Sequence, residues 1–470
     1  MRVLWLCNIM LPAFAEANGL PYSNREGWLS GLFDRLTGRQ GAAEQDGAGR
    51  QEAAAGQNGA AARQDSDAAE RQDRAETARA SSSVTLGVCF PASEAFCGGR
   101  REIDGVAFYG FAEDLNTPER YKPELEEKLA AIVRDFAPDL VHIFGTEFPH
   151  ALAMARAFGK PERTLIGIQG LCGSIAEVYM EGLPYKVQRA VTFRDWYRQD
   201  SLRRQQQKYR QRAVNEREAL RLANHITGRT HFDREAAEMI HPEALYHPMN
   251  ETMRAPFYSG RWRLGAAEPY SIFLSQGDYP IKGFHYMLQA MPSILEHFPQ
   301  AQLCVAGNSI VGNIGGRIPR KKYPTPVWIT AYGRYLRSLI RRNGLQGHVT
   351  MLGKLSAEQM KEQFLRSHVF VCPSTIENSP NALGEAMLLG MPVVAAKVGG
   401  IPDFVEDGEE GILFPGGRYE ELALAVQTVF RDNETAVRLG ENARARARLT
   451  HSPDTNYMRL LEIYRSMAEA

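Results

Sequence analysis

No stretch of this chain approaches the roughly 20 consecutive apolar residues that a membrane-spanning helix needs. Net charge is missing too: 55 Lys plus Arg balance 55 Asp plus Glu. No global field therefore draws the protein to nucleic acid, and any basic site must be local. The six cysteines, Cys7, Cys89, Cys97, Cys172, Cys304 and Cys372, form no C-x-x-C pair and no Cys/His cluster. That pattern speaks against a disulfide framework or structural zinc and for a reducing, cytoplasmic compartment. No internal repeat links one half of the chain to the other.

At 470 residues the chain exceeds what one core organises, so two domains are expected. The opening "MRVLWLCNIMLPAFAEA" has the Arg2, apolar run and A-F-A ending of a signal peptide, but Asn8 and Pro12 interrupt a run already short for one. It reads as a first β-strand, Val3 to Cys7, and a loop. Residues 39–83 almost lack large apolar side chains and cannot offset their ordering entropy; they read as a disordered low-complexity insertion in a surface loop. Beyond it, strand-like "DLVHIFG", "TLIGIQG" and "HITGRT" alternate with helical stretches, including a long charged helix to about Leu222. After a looser passage the alternation restarts with "YSIFLSQG". Strands separated by helices imply crossovers and parallel sheets. The expected architecture is an α/β domain over 1–252, a linker over 253–268, a second α/β domain over 269–450, and a terminal helix over 451–470 returning to the first domain.

The most informative stretch is "STIENSPNALGEAMLLGMPVVAAKVGG", where Glu377 and Glu385 flank a helix start. Ser379 followed by Pro380 predicts a serine-capped helix with proline at its first position, ended by Gly390 and Pro392. First-turn N–H groups around Asn381, Ala382 and Leu383 then lack helical partners and form an anion site, which the helix dipole reinforces. Glu385 lies about 7 to 8 Å further along the axis. Carboxylates accept hydrogen bonds from vicinal hydroxyls, so the stretch can hold a polyol, a phosphate and a second polyol in order. A sugar nucleotide has that order. Two solvated glutamates on a capped surface helix would be the plainer meaning of E-x7-E alone, but the tight strand, cap, helix, Gly-x-Pro, strand, Gly-Gly context argues against it.

The segment "ENSPNALGEAMLLGMPVVAAKVGGIPDFVEDGEEGILFPGG" closely resembles the donor segment of retaining glycosyltransferases of family 4, the glycosyl transferases group 1, which adopt the GT-B fold of two facing Rossmann-like domains. The resemblance is strongest from Tyr270 to Arg446. It implies that Glu377 contacts the donor hexose, that the N–H groups of Asn381 to Leu383 hold the diphosphate, and that Glu385 holds the ribose. "SQGDYPIKG" resembles the family's glycine-arginine-x4-lysine-glycine loop, with Lys282 on the lysine and Gly277 where the arginine would stand. An ammonium there would stabilise charge growing on the leaving diphosphate. Residues Gly353, Lys354 and Leu355 would border the base. Gly399 and Gly400 serve a tight turn or leave room for the donor. The family works without a bound metal, and no D-x-D-like site stands in the expected place; no cofactor is expected besides the nucleotide-sugar donor.

In the first half, Glu26-Gly27 occupies a strand-to-helix loop where the family often has a glycine pair, so only Gly27 is carried over. "HIFGTEFPH" places His142, Glu147 and His150 at a strand's carboxyl end, where open α/β sheets form crevices. Gln169 stands where relatives have a cleft histidine and cannot transfer a proton. Residues 186–212 carry nine basic and two acidic residues interleaved with Phe193, Trp196 and Tyr197, the composition of a solvated face or of a basic amphipathic helix resting on the inner face of a membrane. The leading expectation is a hexosyltransferase acting on a glycan or lipid-linked acceptor in polysaccharide, capsule or lipopolysaccharide assembly. A donor-binding protein without turnover and a glycoside hydrolase using Glu377 and Glu385 are the alternatives.

Overall fold

The computed structural model describes residues 1–20, 27–38, 84–312 and 328–469; the low-complexity stretch 39–83 lies outside them. The first half is built on a sheet of eight strands: β1 (Arg2–Leu6), β2 (Thr85–Pro91), β3 (Arg101–Ile103), β4 (Val106–Phe111), β5 (Leu140–Phe144), β6 (Thr164–Gly167), β7 (His225–Gly228) and β8 (Leu245–Pro248). Their spatial order is β3-β4-β2-β1-β5-β6-β7-β8, and every pair is parallel except β3 with β4. The central strands are apolar on both faces, as sheets covered by helices on both sides require.

The second half repeats the plan with β9 (Ser271–Leu274), β10 (Gln302–Ala306), β11 (Val349–Gly353), β12 (Val369–Cys372), β13 (Val393–Lys397) and β14 (Ile412–Pro415), ordered β11-β10-β9-β12-β13-β14 and wholly parallel. Counted from its first strand this is the order 3-2-1-4-5-6 of a doubly wound sheet. The direction of winding reverses between β9 and β12. Helices Phe284–His297 and Ala331–Arg342 bury one sheet face, and Ala357–Arg366 and Asn381–Leu389 bury the other. Two parallel-sheet α/β domains, as the alternation predicted, are what the chain forms.

Residues 253–268, expected as a linker, pack onto the second domain. Phe257 and Trp262 are buried there, the Trp262 backbone N–H donates to the Leu389 carbonyl at 2.7 Å, and its indole N–H donates to the Ser367 carbonyl at 2.8 Å. The charged helix expected up to Leu222 is three helices, Tyr185–Gln188, Phe193–Arg198 and Leu202–Arg221. Thr192 opens the second with a capping box to Asp195, and Gln199 closes it in the left-handed conformation.

The last helix, Pro453–Glu469, returns to the first sheet and buries Tyr457, Leu460 and Tyr464 against Val3 and Trp5. The Tyr464 hydroxyl accepts from Trp5 Nε1 at 2.8 Å and lies 2.7 Å from His142 Nδ1. His142 is thus a core residue in the middle of β5, not a cleft residue, and burial pushes its pKa down to about 3, so it stays neutral. Replacing Tyr464 by Phe leaves Trp5 Nε1 and His142 Nδ1 without their partner, and an unmet buried polar group costs about 1–3 kcal/mol. Tyr464→Phe is expected to lower the unfolding free energy in urea by about 2 kcal/mol, and a loss within experimental error would show that the hydroxyl does not tie the last helix down.

Candidate functional site

In a doubly wound sheet the crevice lies outside the carboxyl ends of the strands where winding reverses. Here that is the gap between β9 and β12, and it brings Lys282 and Glu377 together across 95 residues: Lys282 Nζ donates to Glu377 Oε1 at 2.6 Å. Ser374 Oγ donates to the same oxygen at 2.7 Å, leaving Glu377 Oε2 without a partner among the described residues. The loops are stitched by the Thr375 N–H, which donates to the Ile281 carbonyl at 2.8 Å. Gly283 has φ +68°, and a Cβ on it would sit 1.7 Å from the Pro373 carbonyl oxygen, so only glycine allows this approach. Burial disfavours the Lys282 ammonium, but the carboxylate beside it prevails and holds its pKa above the ordinary lysine value. The lysine is a fixed cation.

Beside this pair starts the helix Asn381–Leu389. Its N-cap is Pro380, and no side chain caps it, so the expected Ser379 cap does not form. The Leu383 N–H, expected to be open, donates to the Pro380 carbonyl at 2.9 Å because the first turn is tight. Among the described residues the N–H groups of Asn381 and Ala382 have no acceptor, and Asn381 Oδ1 is buried without a partner. Glu385 is buried and paired at both oxygens with Arg254, from Nε at 2.6 Å and from Nη2 at 2.7 Å. Burial pushes the Glu385 carboxyl up, and the guanidinium works against that shift. Arg254 went unrecognised in the sequence because it sits in what reads as linker. With the two glutamates engaged by different cations, they do not offer the paired carboxyls of a retaining glycosidase.

Gly277 faces the core: a Cβ would lie 2.9 Å from Phe284 and from Val305, so an arginine side chain has no way out from this backbone. Gly353 ends β11 with φ +81°, followed by exposed Lys354 and partly buried Leu355, at the sheet edge three strands from β12. At about 4.8 Å per strand that is ~14 Å from the Glu377 loop. Gly399 and Gly400 do not open room for a ligand. A Cβ at Gly399 would meet the Glu377 carbonyl at 2.1 Å, and one at Gly400 would meet the Asn378 carbonyl at 2.1 Å and Thr230 at 2.5 Å.

The first sheet reverses between β1 and β5, and a polar cluster gathers there. Asn8 Nδ2 donates to Glu147 Oε2 at 3.4 Å, His150 Nε2 lies 2.8 Å from Asn8 Oδ1, and His150 Nδ1 lies 2.5 Å from Glu113. Gly145, at φ +90°, leaves room for the Glu147 carboxylate, and Arg212 Nε donates to the Glu147 carbonyl at 2.7 Å. Burial raises the pKa of Glu147. Gln169 Nε2 donates to Glu251 Oε1 at 3.0 Å, and Glu251 is paired with Arg229 at 2.6 Å. Glu216, unflagged in the sequence, accepts from the N–H groups of Cys172 and Gly173 at 2.8 and 3.1 Å, and burial pushes its pKa up to about 7. Gly27 is the first residue of the helix Gly27–Thr37, and Glu26 lies outside the described residues.

Residues 259–446 match the family described as glycosyl transferases group 1. A D-inositol 3-phosphate glycosyltransferase of Corynebacterium efficiens is 30% identical over 206 residues, 44% of each chain. The chain spans less than half the length of the curated relatives it matches first. Among solved structures, sucrose-phosphate synthase from Thermosynechococcus elongatus superposes with a TM-score of 0.62 at 16% identity, over 99% of each chain. Anabaena Alr3699/HepE in complex with UDP-glucose superposes with a TM-score of 0.61 at 18% identity, over 99% of this chain and 100% of that one. The fold is GT-B.

The Arg254 pair is open to a direct test. Breaking a buried ion pair on one side strands the other charge and costs about 3–5 kcal/mol. Arg254→Ala is expected to destabilise at the low end of that range, about 3 kcal/mol, because the guanidinium is partly exposed. Adding Glu385→Gln should recover part of the loss in chemical denaturation, whereas additive losses would show that the two side chains are not coupled.

Proposed function

Because residues 259–446 belong to the glycosyl transferases group 1 family, we propose that the chain is a retaining glycosyltransferase that moves a hexose from a nucleoside diphosphate donor to a glycan or lipid-linked acceptor, in the assembly of a polysaccharide, capsule or lipopolysaccharide. The observation that carries this reading is the meeting of Lys282 and Glu377 beside the two open N–H groups of Asn381 and Ala382. The lysine is bonded to Glu377, and the open backbone donors follow within five residues of that glutamate in the chain, which suits a phosphate next to a hydroxyl-rich ring.

The donor lies across the carboxyl ends of the second sheet. The base sits at Gly353 to Leu355, the diphosphate at Asn381 and Ala382 with Lys282, and the hexose against the free oxygen of Glu377. The ~14 Å from β11 to β12 suits an extended nucleotide. Glu385, held still by Arg254, keeps lone pairs for the ribose hydroxyls. When the bond between the anomeric carbon and the phosphate oxygen breaks, its electron pair leaves with the diphosphate. The ammonium, the N–H groups and the helix dipole offset that charge where it develops. The acceptor oxygen then bonds to the anomeric carbon on the face just vacated, and its proton passes to the departing phosphate oxygen. With Gly277 lacking a cation, Lys282 carries the ionic part of this stabilisation. HepE was solved with UDP-glucose, so UDP-hexoses are the first donors to assay.

The exposed aromatic cluster supports contact with an anionic membrane. Phe193, Trp196 and Tyr197 are 55%, 61% and 62% exposed, and Lys186, Arg189, Arg198 and Arg203 stand exposed around them. Such rings prefer the level of the lipid headgroups, which basic residues reinforce electrostatically.

Three variants check these readings. Glu377→Ala should abolish acceptor-dependent release of nucleoside diphosphate while the protein stays folded, and normal rates in this variant would sink the assignment. Lys282→Ala should slow turnover by two orders of magnitude or more and weaken donor binding much less, as expected for charge stabilised in the transition state. Trp196→Ala combined with Tyr197→Ala should reduce co-sedimentation with phosphatidylserine vesicles while donor affinity stays the same; equal sedimentation would remove the membrane reading.

A further inference from the structure

We propose that a cavity of about 230 Å³ on the second domain, at the far end of the helix Asn381–Leu389 from Lys282, is an anion site that takes a phosphate monoester between Arg261, Arg263 and Arg444. The site is separate from the crevice of Lys282 and Glu377 and does not depend on the glycosyl-transfer reading.

The helix fixes its position. Asn381–Leu389 starts beside Lys282 and Glu377 and ends at Gly390, which lines the cavity. Its nine residues, at 1.5 Å each, hold the two places about 13 Å apart. A phosphate in one cannot touch the other.

Two short patterns build the walls. Arg263 lies in extended backbone, where neighbouring side chains point to opposite sides. Trp262 takes the inner side: it is buried and held by its hydrogen bonds to the Leu389 and Ser367 carbonyls, which turns Arg261 and Arg263 outward to exposed positions. Across from them the helix Asn433–Thr450 presents Val437, Glu441 and Arg444, the i, i+4, i+7 spacing of one helix face.

The charges on these walls identify the ligand class. Arg261 Nη2 is paired with Glu441 Oε1 at 2.6 Å, and Glu441 is the one carboxylate among the lining residues. The guanidiniums of Arg263 and Arg444 have no hydrogen-bond or ion-pair partner among the described residues, and Arg444 Nη1 is buried in that state. Nor does Arg444 serve the end of the facing helix: the carbonyls of Ala386, Met387 and Leu389 accept from the backbone N–H groups of Met391, Gly390 and Trp262. Burial, with Arg448 and Arg261 of like charge nearby, pulls the Arg444 pKa below the usual arginine value, but a guanidinium stays charged at neutral pH. Two uncompensated guanidiniums match a phosphate monoester, which carries about −1.5 to −2 at pH 7. All three cations are arginines, whose planar forks bind phosphate oxygens in pairs. The volume lies below the roughly 300–1,000 Å³ usual for ligand pockets, so the cavity holds the phosphate group and little more.

A free ester and a lipid headgroup both present that group. Titration calorimetry of the full chain with glycerol 3-phosphate, against glycerol, reads the free ester; sedimentation with phosphatidylcholine vesicles, with and without phosphatidic acid, reads the headgroup. Binding is expected in at least one arm, with a loss of tenfold or more in the Arg263→Gln/Arg444→Gln variant and no loss in Lys282→Ala. A response to glycerol 3-phosphate assigns the site to a soluble ester, and a response to phosphatidic acid alone assigns it to a lipid headgroup. Arg263→Gln by itself alters an exposed side chain and provides the same test, at a smaller loss, if the double variant folds poorly. The proposal is overturned if neither probe binds, if the folded arginine variants keep wild-type affinity, or if Lys282→Ala abolishes binding, which would put the anion in the crevice instead.

Discussion

The approach of the Gly283 backbone to the carbonyl of Pro373 sets the geometry on which the site depends. The chain leaves β9 toward one face of the sheet and β12 toward the other, so their loops share the crevice. A Cβ at position 283 would drive those loops apart. Lys282 precedes that glycine, and Glu377 stands four residues after Pro373, so the 2.6 Å contact between ammonium and carboxylate follows from backbone packing. The lysine does not have to search for its partner.

Buried carboxylates elsewhere are met. Glu385 has Arg254, Glu251 has Arg229 and Gln169, and Glu216 has two backbone donors. An ion stranded in the interior costs several kcal/mol, so this pairing is what a stable fold requires. Against that background, the polar groups left open around the helix start stand out. The N–H groups of Asn381 and Ala382, the side-chain oxygen of Asn381 and the second oxygen of Glu377 lie within five residues of one another in the chain. Other buried polar atoms without a partner, such as His285 Nε2 and Gln289 Oε1, stand singly, whereas these are gathered at one helix start.

Features written in local pattern were legible in the sequence. Alternating apolar runs and helical stretches announced two parallel-sheet domains, and the Pro380 to Gly390 interval announced the helix that carries Glu385. Features that depend on distant segments were not. Nothing near Arg254 signals that it will reach a glutamate 131 residues later. The glycines at 277, 399 and 400 resembled ligand-facing positions, yet their neighbours are Phe284, Glu377 and Asn378, contacts visible only after folding. His142 lies in a strand buried on both faces beside a conspicuous polar cluster, and its partner Tyr464 comes from the last helix, 322 residues away. Ser379 has the side chain of a cap, but the tight first turn moves the N-cap to Pro380.

The relation between the domains rests on the same few residues as the site. Asn378, next to Glu377, donates to Asp233 at 2.6 Å across the seam. The other oxygen of Asp233 accepts from the Arg229 N–H at 3.0 Å, Arg229 pairs with Glu251, and Glu251 accepts from Gln169. A continuous set of hydrogen bonds therefore runs from the loop of Glu377 to the amide in the first domain's crevice. The chain passes between domains near Glu251 and again near His451, and these crossings touch: His451 Nδ1 lies 2.8 Å from the Glu251 carbonyl. Two adjacent crossings restrain the domains to turning about one place. Further bonds cross the seam from the Ala331 N–H to Asp195 and from the His231 N–H to Asp403, so a rotation there would be resisted at several points. The bond from Asn378 ties the residue next to Glu377 to the first domain, so the loop that carries the carboxylate of the proposed reaction is held from both sides of the cleft.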